Sequence, residues 1–122
     1  MTYGLELETD ALPEALVARP LGDVDMAVTP DLGAGLLEAV EQHSPGCLVI
    51  DLGSVDYLDS SGIELLFRTH AATTADGIDL IVVAPPGSNA ARLLGLVAMT
   101  DIGEVRESLA QALDRCSGRE RR

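Results

Sequence analysis

A chain of 122 residues, 47% apolar and 23% charged, is the size of one ordinary domain and has enough apolar side chains for a core. Eight Arg and no Lys against 20 Asp plus Glu leave a formal charge of −12, which repels phosphate backbones and argues against direct nucleic-acid binding. No apolar run reaches the roughly 18 residues of a membrane-spanning helix, and the first residues lack the basic flank and apolar stretch of a signal peptide. The expectation is a cytoplasmic protein without membrane contact.

In chain order, Tyr3, Leu5 and Leu7 alternate with Gly4, Glu6 and Glu8, the period of a half-buried strand. Asp10 to Glu14 turns the chain, and Ala15 to Leu21 reads as a second strand ended by Pro20 and Gly22, so the two form a hairpin. Thr29-Pro30-Asp31 opens a helix, with Thr29 as cap, Pro30 in the first turn and Asp31 complementing the dipole. Leu32, Leu36, Leu37 and Val40 follow at helical spacing.

Cys47-Leu48-Val49-Ile50, after the break Pro45-Gly46, is a continuous apolar run, as expected for a central strand covered on both faces. Asp51 to Asp59 reads as a loop of mixed polarity. Asp59-Ser60-Ser61-Gly62 then starts a second helix carrying Ile63, Leu66, Phe67, His70 and Ala71. Ile78 to Ala84 is another buried strand, stopped by Pro85-Pro86-Gly87. Ser88 or Asn89 caps a third helix with Ala90, Leu93, Leu94 and Val97. A weak strand near Met99 to Gly103 leads into a last helix with Val105, Leu109, Ala112 and Leu113.

The resulting order, ββαβαβαβα, is a single α/β domain over residues 1–116, with 117–122 expected as a disordered tail. Arg115, Arg119, Arg121 and Arg122 read as a solvated basic cluster in that region. Cys47 and Cys116 give neither a disulfide framework nor a metal-ligand spacing, and both read as free thiols. Parallel strands joined by crossover helices carry function at the strands' C-terminal ends, which directs attention to the segment between Leu52 and Ile63.

From the turn alone, Ser60 is either a plain N-cap, with Ser61 as the next candidate, or a displayed hydroxyl. Asp23, Asp25 and Asp59 are either solubilising charges or, together, a weakly furnished divalent-metal site, with Asp59 alone also read as a group that orients the serine. Asp51 reads as a structural turn residue. A hydrolase fits poorly: His70 lies ten residues beyond Ser60 on one helix, about 15 Å along its axis, and the pattern Gly-x-Ser-x-Gly is absent. No Walker loop or dinucleotide fingerprint occurs, and no cofactor is expected.

The stretch from Val49 through Asp51, Asp56, Asp59-Ser60-Ser61-Gly62 to Ile63 resembles the signature of the STAS domain, in particular the bacterial anti-sigma factor antagonists. Gly22-Asp23-Val24-Asp25 is similar to that family's acidic turn, and Leu80 to Val83, Pro85 and Arg92 to Leu96 to its next strand and helix. The resemblance spans roughly residues 15 to 113. It implies the STAS fold, a single mixed β-sheet with packed helices, and a non-enzymatic phosphoprotein with Ser60 as phosphoacceptor.

Around Ser60, the implied phosphosite surround and partner-binding residues are Asp23, Asp25, Asp59, Ser61, Gly62 and Glu64. The implied partners are an anti-sigma factor of the GHKL serine-kinase type, bound by the unphosphorylated form so that a sigma factor is released, and a PP2C-type phosphatase that resets the switch. Val28 stands where many members have Thr, and Asp23 where Glu is usual. The alternative is a STAS scaffold or ligand-sensing module without a phosphorylation cycle.

Overall fold

A computed structural model describes residues 4–95 and 103–120. Its elements run β1 (Gly4–Glu8), β2 (Ala15–Val24), α1 (Thr29–His43), β3 (Cys47–Asp51), β4 (Val55–Leu58), α2 (Ser60–Ala75), β5 (Asp79–Val83), α3 (Asn89–Leu94), β6 (Glu104–Arg106) and α4 (Leu109–Glu120). They form one mixed sheet in the order β1-β2-β3-β5-β6, with β4 added beside β2. Among the described residues only β1–β2 is antiparallel; the other pairs are parallel and joined by crossovers. No described helix is long and apolar enough to cross a membrane.

The long strand β2 organises the sheet. Ala15 to Ala18 pair with β3, and Gly22 to Val24 pair with β4. Pro20 sits in the gap between these two ladders, opposite Leu5 of β1, where its missing N–H breaks no bond to β3 or β4. The strand therefore continues through Pro20 to Val24 instead of ending there. Gly22 supplies a φ of 76° at the irregularity where the β4 register shifts, a conformation a side chain rarely adopts.

Alternation along the strands separates two apolar layers. Leu16, Ala18, Leu48, Ile50, Leu80 and Val82 face one large cluster closed by Leu32, Leu36 and Val40 of α1, Ile63 and Leu66 of α2, and Leu94 of α3. Ala15, Val17, Cys47, Val49, Ile81 and Val83 face a smaller cluster closed by Ala112 and Cys116 of α4. β3 is buried along its whole length, which accounts for its unbroken apolar run.

Several expectations are corrected. The segment read as a loop contains β4, which Val55 and Tyr57 alone could not signal because an edge strand of four residues shows almost no periodicity. The final strand is Glu104–Arg106, so Val105 belongs to it and not to the last helix. Tyr3, Val97 and Met99 to Ile102 lie outside the described residues. Helix α4 continues through Glu120 where a disordered tail was expected from 117, and Arg115 is held by an ion pair with Glu104 at 3.0 Å. Thr29 does not cap α1: Val28 occupies that position, and the Asp25 carbonyl receives the N–H groups of Val28 and Thr29.

Cys47 and Cys116 are not free thiols. They form a disulfide across 69 residues with their Cα atoms 5.9 Å apart. The alternation of β3 turns Cys47 toward α4, and the helical repeat turns Cys116 back toward the sheet. That meeting is tertiary and leaves no mark in the spacing of two cysteines.

Candidate functional site

The site forms where β2 and β4 end side by side. Val24 is paired with Leu58, and the Asp59 N–H donates to the Val24 carbonyl at 3.4 Å, so the Asp25 turn lies beside the start of α2. Val24 and Leu58 are buried, whereas their neighbours Asp23 and Tyr57, themselves paired, are exposed. Asp25 shapes its own turn: its carboxylate accepts from Ala27 N–H at 3.0 Å, an Asx-type closure that leads the chain into α1. Met26 then projects outward, 76% exposed.

Asp59 is the N-cap of α2. One carboxylate oxygen accepts from the N–H of Ser61 at 2.9 Å, from the N–H of Gly62 at 3.4 Å and from the hydroxyl of Ser61 at 2.5 Å. Led by the Ser61 hydroxyl, these donors outweigh the opposing effect of burial and hold the Asp59 carboxyl below its ordinary pKa. Ser61 is thereby committed to the cap. Ser60, the first residue of the helix, is exposed, and among the described residues its hydroxyl has no hydrogen-bond partner.

Gly62 is buried for a packing reason. A Cβ there would collide with Cδ1 of Leu58 and stand 3.0 Å from its Cγ and 3.4 Å from Cγ1 of Val24. The absent side chain is what lets the first turn of α2 close onto the ends of β4 and β2. Glu64, one turn beyond Ser60 on the same face, pairs with Arg68 at 3.5 Å, both about two-thirds exposed. The face thus displays Ser60, Glu64 and Arg68 as an outward stripe.

One further residue braces the site. The Asn89 side-chain amide donates to the Leu58 carbonyl at 3.2 Å, and its oxygen accepts from Arg92 at 2.7 Å. Ser88 alone caps α3, accepting from Ala91 N–H, which leaves Asn89 available for this bond. Two adjacent cap-type residues were the only trace of it in the sequence, since one helix needs one cap. Asp51 is structural, as read: its oxygens accept from Gly53 N–H at 2.8 Å and from Arg19 Nε at 3.2 Å. His70 lies further along α2, at an open crevice with Thr74, Asp79, Glu104 and Arg115, away from Ser60.

The model of one family, described as the STAS domain, matches residues 6–112. The chain belongs to the STAS domain family. Among solved structures, an anti-sigma factor antagonist from Mycobacterium paratuberculosis is similar to this STAS domain, with 25% identity over 95% of each chain and a TM-score of 0.72. A variant of RsbS from Moorella thermoacetica is similar over the full length of both chains, with 14% identity and a TM-score of 0.75. The phosphorylated form of the Bacillus cell fate determinant SpoIIAA covers 92% of this STAS domain and 98% of its own chain, with 19% identity and a TM-score of 0.67. At identities below 25%, the latter two speak for the shared fold. The expected mixed-sheet STAS architecture is therefore present, with β4 as the strand that the sequence reading lacked.

Proposed function

We propose that this STAS domain is an anti-sigma factor antagonist whose unphosphorylated form binds an anti-sigma factor, and that a phosphate on Ser60 switches the binding off. The observation that carries the reading is the exposed, uncommitted hydroxyl of Ser60 beside a cap completed by Asp59 and Ser61. A kinase can reach this oxygen, and esterifying it removes no bond that the fold uses. The dipole of a sixteen-residue helix tolerates an anion at its start, so the phosphorylated chain keeps its structure.

Binding responds differently. A phosphate adds about −1.5 to −2 charges next to Asp59 and near Asp25, Asp23 and Glu64. The neighbouring exposed apolar side chains, Met26 and Tyr57, suit burial in a partner, and a partner face matched to them loses its match when that charge arrives. Each ~1.4 kcal/mol lost at the interface is tenfold in affinity. The anti-sigma factor is of the GHKL serine-kinase type, a PP2C-type phosphatase resets the switch, and the domain itself catalyses nothing. The antagonist and the phosphorylated SpoIIAA among the structural neighbours support this reading by analogy.

The test is incubation with the cognate kinase and ATP, followed by intact mass and phosphopeptide mapping. The expected result is one phosphate, on Ser60, with Ser60→Ala binding the kinase yet gaining no mass and Ser60→Asp binding at least tenfold more weakly. A phosphate mapped to Ser61 or elsewhere overturns the site. No mass gain with a partner that binds overturns the cycle and leaves the scaffold.

A further inference from the structure

We propose that the Cys47–Cys116 bridge is a thiol–disulfide exchange site that determines whether α4 stays on the sheet, a second covalent control separate from Ser60. The two layers of the domain are unequal. Among the described residues, twenty buried apolar side chains form the α1–α2–α3 side and eight form the α4 side. Of α4 itself, Ala112 and Cys116 are buried, while Leu109 and Leu113 are partly buried. One methyl group and half of a disulfide are thus the centre of the helix's contact. Without the covalent link, α4 keeps Ala112, the flanks of two leucines and the Arg115–Glu104 ion pair, which is about one-third exposed and of small worth.

The bridge is enclosed: Cys47 is 1% exposed and Cys116 3%. A thiolate must approach a sulfur directly to displace the other, so a reductant gains access when α4 lifts. Reduction and undocking are coupled by that geometry. In the exchange, a thiolate of an external dithiol attacks one sulfur and forms a mixed disulfide. The S–S electron pair leaves on the other sulfur, which takes a proton. The second thiol of the reductant then displaces the mixed disulfide, so that the chain ends with two thiols and the reductant with one disulfide. Cys47 opens β3 and Asp51 closes it, about 13 Å away at the end that faces the Ser60 loop, so the exchange proceeds without disturbing Asp59 or Ser60.

Full-length chain purified without reductant, then denatured and treated with N-ethylmaleimide, should take up no label before dithiothreitol and two labels after it. In native buffer, dithiothreitol should accelerate hydrogen exchange in residues 109–118 at least tenfold more than in residues 60–75, which speed up only with the loss of global stability. Cys116→Ser should exchange like the reduced chain and ignore dithiothreitol. Two labels on the untreated chain overturn the proposal, as does α4 protection that survives reduction within twofold. A dithiothreitol response in Cys116→Ser also overturns it, because the effect then arises elsewhere.

Discussion

Ser61 donates both its backbone N–H and its hydroxyl to the Asp59 carboxylate, and this pairing separates two adjacent serines into different roles. One is consumed by the helix cap. The other, Ser60, faces solvent with its hydroxyl free for an incoming group. A cap built by Ser60 itself would have made any modification there a structural event as well.

Asp59→Ala should lower stability by about 1 kcal/mol, the ordinary loss for an acidic or hydroxyl N-cap. Urea denaturation reads this directly, and Asp59→Asn should recover most of it, since an amide oxygen still accepts from the helix N–H groups. An alanine variant as stable as the parent contradicts the capping role.

The same carboxylate sets a signed pH dependence. Its folded pKa is depressed, so the stabilisation is complete above the unfolded value of about 3.9 and disappears as pH falls through the lower folded value. Between about pH 5 and 8 it contributes no slope. The stability gap between parent and Asp59→Ala should be flat over that range and narrow below about pH 4; a gap that widens on acidification has the wrong sign.

Gly62→Ala should destabilise by about 1–3 kcal/mol, because the added methyl enters the space of Leu58. The double variant Gly62→Ala with Leu58→Ala should lose less than the sum of the two single changes. Full additivity in a double-mutant cycle would show that the collision is not the cause.

Asn89→Ala removes the donor from the Leu58 carbonyl and should cost about 0.5–1.5 kcal/mol. Amide exchange at Ser61 and Gly62 should quicken, since the strand end that leads into them loses its brace. Exchange confined to α3 would mean that Asn89 supports its own helix and not the site.

Reducing the bridge should lower global stability by about 4 kcal/mol, the loop-closure value for a separation of 69 residues. Guanidinium denaturation with and without dithiothreitol measures it. An unchanged midpoint would mean that the cross-link contributes nothing to the folded chain.

Much of this domain was readable in the residues alone. The apolar run Cys47 to Ile50, the strand at Leu80 to Val83 and the helix opened by Asp59-Ser60-Ser61-Gly62 announce themselves because central strands and amphipathic helices repeat their pattern over enough positions to be recognised. β4 did not, because Val55 to Leu58 is too short to repeat anything and becomes a strand only by lying against Gly22 to Val24. Pro20 misled in the same way: its local meaning is a break, and only the gap between two neighbouring ladders makes it harmless.

The sequence by itself determined the alternation of strands and helices, the acidic surface and the turn on which Ser60 sits, since each depends on neighbours along the chain. Tertiary structure alone decided that Asn89 reaches Leu58 and that Cys47 meets Cys116. Pairings between elements depend on strand register and helix rotation over separations of 31 and 69 residues, and no local periodicity encodes these.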